Sequence, residues 1–350
     1  MIRDEVLKTF AGRTVLVTGG TGLIGRQLVD LLCRAGARVR VASLDRITLD
    51  PRAEYVYGDL TEFSFCREVV RDIEMVCHLA GVKGSIDVSR SQLASHFVPT
   101  VMFNTNVLEA SRRAGIRKLV YTSSIGAYAS AELLVERDEA GTFSDAPMDF
   151  AGWAKRVAEL QVHAYAVQYG LDGYAVVRPS NVYGPGDNFD PQNAMVVPTL
   201  LMRIHRREDP VLIWGDGAAI RDFVYSRDVA EGLLLALHHG TRGTYVNLGS
   251  GSGVTIRELI ETLRGFLEFN YQFDVSKPGG FPKRVMDISR AREWIGYQPT
   301  TTLTEGLRTT WHWFIENQDE YLQKQNYFKD GAMASPGSTA PSGNPGSSLR

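Results

Sequence analysis

Hydrophobic positions along the first half of the chain follow two spacings in alternation. Short continuous apolar runs are typical of buried strands, and the stretches between several of them carry apolar residues at helical spacing. Strands that alternate with helices predict a doubly wound parallel sheet covered on both faces. The predicted strands are residues 14–18, 39–43, 55–57, 75–80, 118–123 and 174–178, and the predicted helices are residues 26–34, 100–114 and 152–169.

The pattern becomes less regular after residue 180. Pro, Gly, Asn and Asp cluster at residues 184–193, and the elements beyond them are short and mixed. This part of the chain is expected to be a smaller α/β region that forms one wall of a cleft. Its predicted helices are residues 197–205 and 256–266, and its predicted strands are residues 211–214, 223–225 and 244–248.

These patterns predict the organisation of the chain. We expect a Rossmann-like α/β domain over residues 1–180, to which strands from about 222–248 return, and a substrate-binding region over residues 181–328. Gly, Pro and Ser make up twelve of the last twenty residues. We therefore expect residues 329–350 to be a disordered tail of the kind an expression vector leaves.

Composition and charge narrow the possible partners. A net charge of −2 gives no electrostatic reason to expect nucleic acid or an anionic membrane. No apolar run approaches the length of a membrane span, and Cys33, Cys66 and Cys77 stand apart. Isolated cysteines indicate reduced thiols, so a cytoplasmic location is expected. None of the seven histidines has a second ligand at metal spacing, so no metal is expected.

Residues 14–25 contain the strongest functional motif. Gly19, Gly22 and Gly25 stand between a predicted strand and a predicted helix that begins with Leu23 and Ile24. Such a turn lets the backbone approach a pyrophosphate and directs the free N–H groups of a helix N-terminus at it. The strand before and the helix after supply the context that this motif requires. The sequence therefore predicts a site for NAD or NADP.

The end of the second strand selects between the two dinucleotides. An acidic residue there binds the ribose 2′-hydroxyl of NAD, whereas a small residue near an Arg accommodates the 2′-phosphate of NADP. Ser43 stands at the usual acidic position and is followed by Asp45 and Arg46. Ser43 and Arg46 favour NADP, while Asp45 could still reach a ribose, so NAD remains open.

Further segments occur in a fixed order and point to one family. They are residues 57–60 (Tyr-Gly-Asp-Leu), 78–81 (His-Leu-Ala-Gly), 121–124 (Tyr-Thr-Ser-Ser), 153–155 (Trp-Ala-Lys) and 178–185 (Arg-Pro-Ser-Asn-Val-Tyr-Gly-Pro). With the glycine turn, they resemble the extended short-chain dehydrogenases/reductases, which are NAD(P)-dependent nucleotide-sugar epimerases, dehydratases and reductases. Residues 184–189, 214–217, 277–280, 297–299 and 303–307 resemble most closely the GDP-L-fucose synthase-like members.

This resemblance implies roles for individual residues. It implies that Asp59 and Leu60 meet the adenine, that Ala80 and Gly81 line the pyrophosphate and nicotinamide ribose, and that Lys155 holds the ribose hydroxyls. His78 is interpreted as a packed strand residue rather than a catalyst. Val182 is placed beside the nicotinamide. The candidate substrate contacts are Ser124, Asn181, Asn188, Met195, Trp214, Arg221, Lys283 and Arg284, with Arg221 matching the family arginine that binds the nucleotide diphosphate.

The catalytic centre departs from the family pattern. Relatives pair a Ser or Thr with a Tyr four residues before the Lys, and the Tyr transfers a proton while hydride moves to or from the nicotinamide. Ser124 and Lys155 are present, but Ala151 occupies the position of the Tyr. Loss of a positioned acid/base costs about 10²–10⁴ in rate, so we expect impaired catalysis. Ala151 is either an engineered replacement, which the intact surrounding motifs and the tail favour, or a natural loss.

The chain lacks side chains that some reactions of the family need, and this narrows the set of possible reactions. The resemblance places Ile125 and Gly126 where dehydratases carry an acidic pair, and Gly126 and Met195 where double epimerisation needs a Cys and a His. What remains is chemistry at C4, either 4-epimerisation or reduction of a 4-keto sugar, expected on a GDP-linked hexose. The alternative is a non-catalytic NAD(P)-binding protein. The resemblance also implies a homodimer through a four-helix interface formed by residues 100–114 and 152–169.

Overall fold

The computed structural model describes residues 2, 4–82, 93–136, 147, 149–191, 193–277 and 279–320. The expected tail, residues 329–350, lies outside the described residues. The strands are β1 (Thr14–Thr18), β2 (Arg38–Ser43), β3 (Glu54–Tyr57), β4 (Met75–His78), β5 (Lys118–Thr122), β6 (Leu133–Leu134), β7 (Tyr174–Pro179), β8 (Asn181–Tyr183), β9 (Val211–Trp214), β10 (Ile220–Arg221), β11 (Phe223–Tyr225), β12 (Tyr245–Leu248), β13 (Val254–Thr255), β14 (Tyr271–Asp274) and β15 (Lys283–Met286).

Helices connect most of these strands. They are α1 (Asp4–Lys8), α2 (Leu23–Arg34), α3 (Phe63–Val69), α4 (Leu93–Arg113), α5 (Phe150–Tyr169), α6 (Val196–His205), α7 (Ser226–His239), α8 (Ile256–Arg264), α9 (Ser289–Ile295) and α10 (Leu303–Glu316). A short 3-10 turn, Ile125–Ala127, follows β5.

The centre of the fold is a seven-stranded sheet in the order β12-β7-β5-β4-β1-β2-β3. Every neighbouring pair in this sheet is parallel. The helices flank it, with α2 packed against α7 and α4 against α5. The predicted doubly wound α/β fold is therefore confirmed. Its strands β1, β5 and β7 are buried on both faces, which explains their continuous apolar runs.

The region after β7 forms three small sheets and a second hydrophobic core. The sheets have the orders β13-β10-β15-β6, β11-β8 and β14-β9. The core packs α6, α8 and α10 together around Phe189. β6, which comes from the first half of the chain, pairs with β15. The two regions are thus joined by strand pairing as well as by the return of β12 to the large sheet.

Most predicted elements are confirmed, and the differences have physical reasons. Each of the six predicted strands of the first half ends within two residues of the observed one. The predicted helix at 100–114 starts at Leu93 instead and contains Pro99, a residue that normally argues against a helix interior. The sequence reasoning missed α7, a helix that is buried around most of its circumference.

The start of α5 rests directly on the turn that follows β5. Asp149 caps the helix by accepting a hydrogen bond from the Gly152 N–H at 2.7 Å. A Cβ atom on Gly152 would lie 2.0 Å from the carbonyl oxygen of Gly126. Only glycine allows the helix to approach the turn this closely.

We predict that Gly152→Ala destabilises the protein by about 1–3 kcal/mol, because the added methyl forces α5 away from the turn. Chemical denaturation would measure the free energy of unfolding. Ala164→Ser, on an exposed position of the same helix, is the control and should change it by less than about 0.5 kcal/mol. Equal stability of the two variants would contradict this packing argument.

Candidate active site

A cleft of about 920 Å³ opens at the carboxyl ends of the large sheet's strands. This is the edge at which parallel α/β sheets bind ligands, and the volume suits a large ligand. The structure brings eighteen of the predicted site residues together along its walls. They are Gly19, Gly22, Leu23, Ile24, Gly25, Ser43, Asp45, Asp59, Leu60, Ala80, Gly81, Ser124, Ala151, Lys155, Asn181, Val182, Asn188 and Met195.

The glycine turn is built so that only glycine fits. Gly19 has a φ of +68°, and a Cβ on it would lie 3.0 Å from the backbone of Ala80. A Cβ on Gly25 would lie 2.2 Å from the carbonyl oxygen of Gly19. Gly22 precedes α2 and has no side chain to cap it, so the N–H groups of the first turn face the cleft uncovered. These features form a cradle for an anion.

A small polar network lies at the end of β2. The Thr21 hydroxyl donates to Asp45 Oδ2 at 3.0 Å and lies 2.8 Å from the Ser43 hydroxyl. Ser43 Oγ also accepts from the Asp45 N–H at 3.1 Å. The Asp45 carboxylate is thereby held in the cleft wall. Arg46, in contrast, is exposed and lies outside the lining residues.

Asp59 and His78 both form hydrogen bonds to other residues of the fold. Asp59 Oδ1 accepts from the Thr61 N–H at 2.8 Å, which is a turn contact, although Asp59 also lines the cleft. His78 is buried between Thr18, 2.7 Å from Nδ1, and Asn104, 2.9 Å from Nε2. Burial lowers its pKa to about 3, so the imidazole is neutral. The interpretation of His78 as a packed strand residue is confirmed.

Ser124, Ala151 and Lys155 meet where β5 ends and α5 begins. Ser124 Oγ accepts from the Gly126 N–H at 3.0 Å. Lys155 Nζ donates to the Thr122 carbonyl oxygen at 2.9 Å. Burial lowers the pKa of Lys155 to about 8. Ala151 offers only a methyl group to this cluster, and Phe150 beside it packs edge-to-face on Phe97.

Arg221 and Arg284 form a second, basic cluster. They are partners on the parallel strands β10 and β15, where Lys283 pairs with Ile220. Arg221 donates to the carbonyl oxygens of Phe281 at 2.6 Å and Gly279 at 3.2 Å. Burial lowers the pKa of both guanidinium groups, and the charge of Arg284 lowers that of Arg221 further.

The basic cluster adjoins the cleft but does not line it. Arg284 donates to the carbonyl oxygen of Ile125, which does line the cleft. Its Nε atom is buried and has no hydrogen-bond partner among the described residues. Trp214 is half exposed on β9. The predicted residues that do not line the cleft are Arg46, Trp214, Arg221, Lys283 and Arg284.

The structure adds lining residues that the sequence reasoning missed. Thr21, His96, Asp149 and Asp187 all border the cleft. Asp149 could have been found from its position as an N-cap before a predicted helix, and Thr21 from its place inside the glycine turn. His96 and Asp187 carry no sequence signal of this kind, because only the packing of α4 and the loop after β8 brings them to the site.

The described residues contain neither a candidate metal-binding group nor a candidate membrane-spanning helix. Within them, no three His, Cys, Asp or Glu side chains gather into a group that could hold a metal ion. None of the described helices combines the length and apolar character that a bilayer span requires.

The chain matches known proteins over most of its length. The family model described as "NAD dependent epimerase/dehydratase family" matches residues 15–249. Among curated proteins, a probable GDP-L-fucose synthase 1 from Oryza sativa subsp. japonica is 30% identical over 316 residues, covering 87% of this chain and 93% of the relative.

Solved structures agree with the sequence relatives. A UDP-glucose 4-epimerase from Thermotoga maritima, solved with UDP-glucose, is 30% identical with a TM-score of 0.74, covering 87% of this chain and 99% of that one. MoeE5, solved with UDP-glucuronic acid and NAD, is 29% identical with a TM-score of 0.74 and the same coverage.

Proposed function

Because the chain belongs to the NAD-dependent epimerase/dehydratase family, we propose that it holds a nicotinamide cofactor and a nucleotide sugar in this cleft and acts at C4 of the sugar. The reaction is 4-epimerisation or reduction of a 4-keto sugar, on a GDP-linked hexose. When bound, the nicotinamide accepts or supplies the hydride.

The observation that carries this proposal is that Ser124, Lys155 and the glycine turn all line the same cleft. The Lys155 ammonium is placed to donate to the ribose hydroxyls next to the nicotinamide. Because Ser124 Oγ accepts from the backbone at Gly126, its O–H is free to donate to the sugar oxygen at C4. These two groups orient the reactants and stabilise charge on the sugar oxygen.

Asp45 supports NAD as the cofactor, the alternative that the sequence left open. The carboxylate is held in the cleft wall by Thr21, where it can accept a hydrogen bond from a ribose 2′-hydroxyl. A 2′-phosphate at the same place would meet a like charge. Arg46 is exposed and outside the lining residues, so its attraction for that phosphate is weaker.

Ala151 limits the catalytic rate. Ser124 and Lys155 remain, but the side chain that would exchange a proton with the sugar oxygen is missing. We therefore propose a chain that binds its ligands well and turns them over slowly. Ala151 also supports a second candidate function, that of a non-catalytic NAD(P)-binding protein.

The substrate diphosphate is assigned to Arg221 and Arg284. Two half-buried guanidinium groups side by side repel each other, and an anion bridging them would relieve both. Lys283 and Trp214 extend this surface towards the base, whereas Asn181, Asn188 and Met195 line the sugar end. The GDP moiety is proposed from the likeness to the GDP-L-fucose synthases.

The outer surfaces of α4 and α5 support a homodimer. Half of the exposed large apolar side chains in the described part of the chain lie on these two helices. They are Leu93, Val98, Met102, Phe150, Val167 and Tyr169. The free cysteines Cys33, Cys66 and Cys77 support a cytoplasmic location for this dimer.

We expect the protein to bind NADH more tightly than NADPH. Asp45→Asn should reduce that preference by about tenfold, because the charged acceptor for the 2′-hydroxyl is lost and the repulsion of a 2′-phosphate disappears. Titration by nicotinamide fluorescence measures both dissociation constants. A parent protein that prefers NADPH and loses this preference in Arg46→Ala would contradict the assignment.

Ala151→Tyr should raise turnover by about 10²–10⁴, because a phenol beside Lys155 restores proton transfer. The assay follows nicotinamide absorbance and product sugars with GDP-, UDP- and dTDP-linked hexoses and their 4-keto forms. Ala151→Phe is the control, since it adds the ring without the hydroxyl. If Ala151→Tyr binds the cofactor but converts none of these substrates, the non-catalytic function replaces this proposal.

Met102→Glu should convert the dimer to monomer, because it places a charge on the apolar surface of α4. Sedimentation velocity measures the association state. Val275→Glu is the matched control, since Val275 is also an exposed apolar residue but follows β14 and belongs to neither α4 nor α5. A parent protein that sediments only as a monomer removes the dimer from the proposal.

A further inference from the structure

Lys155 carries the positive charge at the nicotinamide end of the cleft, and its surroundings make that charge costly. Burial lowers its pKa to about 8, and Nζ donates to the neutral carbonyl of Thr122. The ring of Tyr121 lies 5.4 Å from Nζ and attracts the ammonium, but its hydroxyl carries no opposing charge, since burial raises the Tyr121 pKa well above the ordinary value. His78 and His96 face the ammonium as neutral imidazoles, because burial and the Lys155 charge lower the pKa of both.

One anion opposes this effect. Glu159 follows Lys155 by four residues on α5, a spacing that places both side chains on the same side of the helix. Its negative charge raises the pKa of Lys155 against the effect of burial. Glu159 thus supplies a negative charge that favours the ammonium form, in addition to the Thr122 carbonyl oxygen and the face of the Tyr121 ring.

The Glu159 carboxylate is held in place by several donors. Arg178 donates from Nε to Oε1 at 2.8 Å and from Nη2 to Oε2 at 2.6 Å. Ser123 Oγ donates to Oε1 at 2.5 Å, and Arg156 Nη1 donates to Oε2 at 3.0 Å. Although burial would raise the pKa of Glu159, Arg178 and the other donors keep it below its ordinary value. The group therefore stays ionised.

Arg178 is fixed in turn by aromatic rings. Its guanidinium carbon lies 3.6 Å from the ring centre of Tyr245 and 4.4 Å from that of Tyr128. Glu159 thus connects α5, the end of β5 and the end of β7. Ser123, which donates to it, is the residue before Ser124. A substitution at Glu159 would therefore alter both the charge near Lys155 and the packing of the elements that position Ser124.

We propose that Glu159 is a positioning residue that keeps Lys155 in the ammonium form needed to hold the nicotinamide ribose, and so sets the upper pH limit of cofactor binding. The inference rests on the cofactor part of the proposed function but not on the sugar or the reaction. Its test therefore needs only NADH and the protein.

The experiment measures the dissociation constant of NADH between about pH 6 and pH 9.5, bracketing the titration of Lys155. In the parent protein, affinity should fall by about tenfold per pH unit above a midpoint near 8. In Glu159→Gln the midpoint should move down by about one unit or more, because the charge that favours the ammonium is removed. At the lowest pH, where Lys155 is protonated in both, the two affinities should be similar.

Arg156→Gln is the matched control. It removes another hydrogen bond from the same buried carboxylate but leaves the negative charge, so it should not lower the midpoint. Because Glu159→Gln leaves the Arg178 charge buried and unpaired, it could prevent folding. In that case the double variant Glu159→Gln/Arg178→Gln is compared with Arg178→Gln, which keeps the Glu159 charge, and the midpoint of the double variant should be the lower of the two.

Two outcomes overturn the inference, and they differ from each other. If the parent loses affinity above its midpoint but folded Glu159→Gln keeps that midpoint, or the double variant has the same midpoint as Arg178→Gln, Glu159 has only a structural role. If the parent binds neither NADH nor NADPH at any pH, the proposed cofactor itself is wrong and the inference fails with it.

Discussion

The buried ion pair between Glu159 and Arg178 is the interaction on which the site depends. Two charges in a low-dielectric interior are stable only when their hydrogen bonds are satisfied, and here the carboxylate accepts four of them. Removing one partner of such a pair typically costs about 3–5 kcal/mol. The pair therefore fixes the position of α5 relative to β5 and β7, and with it the positions of Ser124 and Lys155.

Positive groups lie in the cleft and beside it. The uncapped N–H groups of α2 and the buried ammonium of Lys155 line the cleft, whereas Arg221 and Arg284 adjoin it. The proposed function assigns the first set to a dinucleotide and the second to a nucleotide diphosphate. Asp45 adds one negative group at the far end of β2, where the proposed function places a neutral ribose hydroxyl.

The contacts around Ala151 are intact. Asp149 still caps α5, Gly152 still packs on Gly126, and Ser124 and Lys155 keep defined hydrogen bonds. The frame of a catalytic centre thus persists without the proton-transfer side chain. The proposed function therefore separates binding from chemistry, because binding would depend on the backbone turn and the fixed charges, whereas proton transfer would need one more hydroxyl.

Local sequence patterns determined the parallel sheet and the glycine turn, because each depends on near neighbours along one strand, turn or helix. The family resemblance supplied most of the eighteen predicted residues that line the cleft. Tertiary structure decided what depends on distant pairings. It placed Arg46 outside the cleft and Asp45 inside it, brought His96 and Asp187 to the walls, and joined Glu159 to Arg178 across nineteen positions of sequence. It also set the pKa of Lys155, since burial and a buried anion are properties of packing that no single stretch of sequence contains.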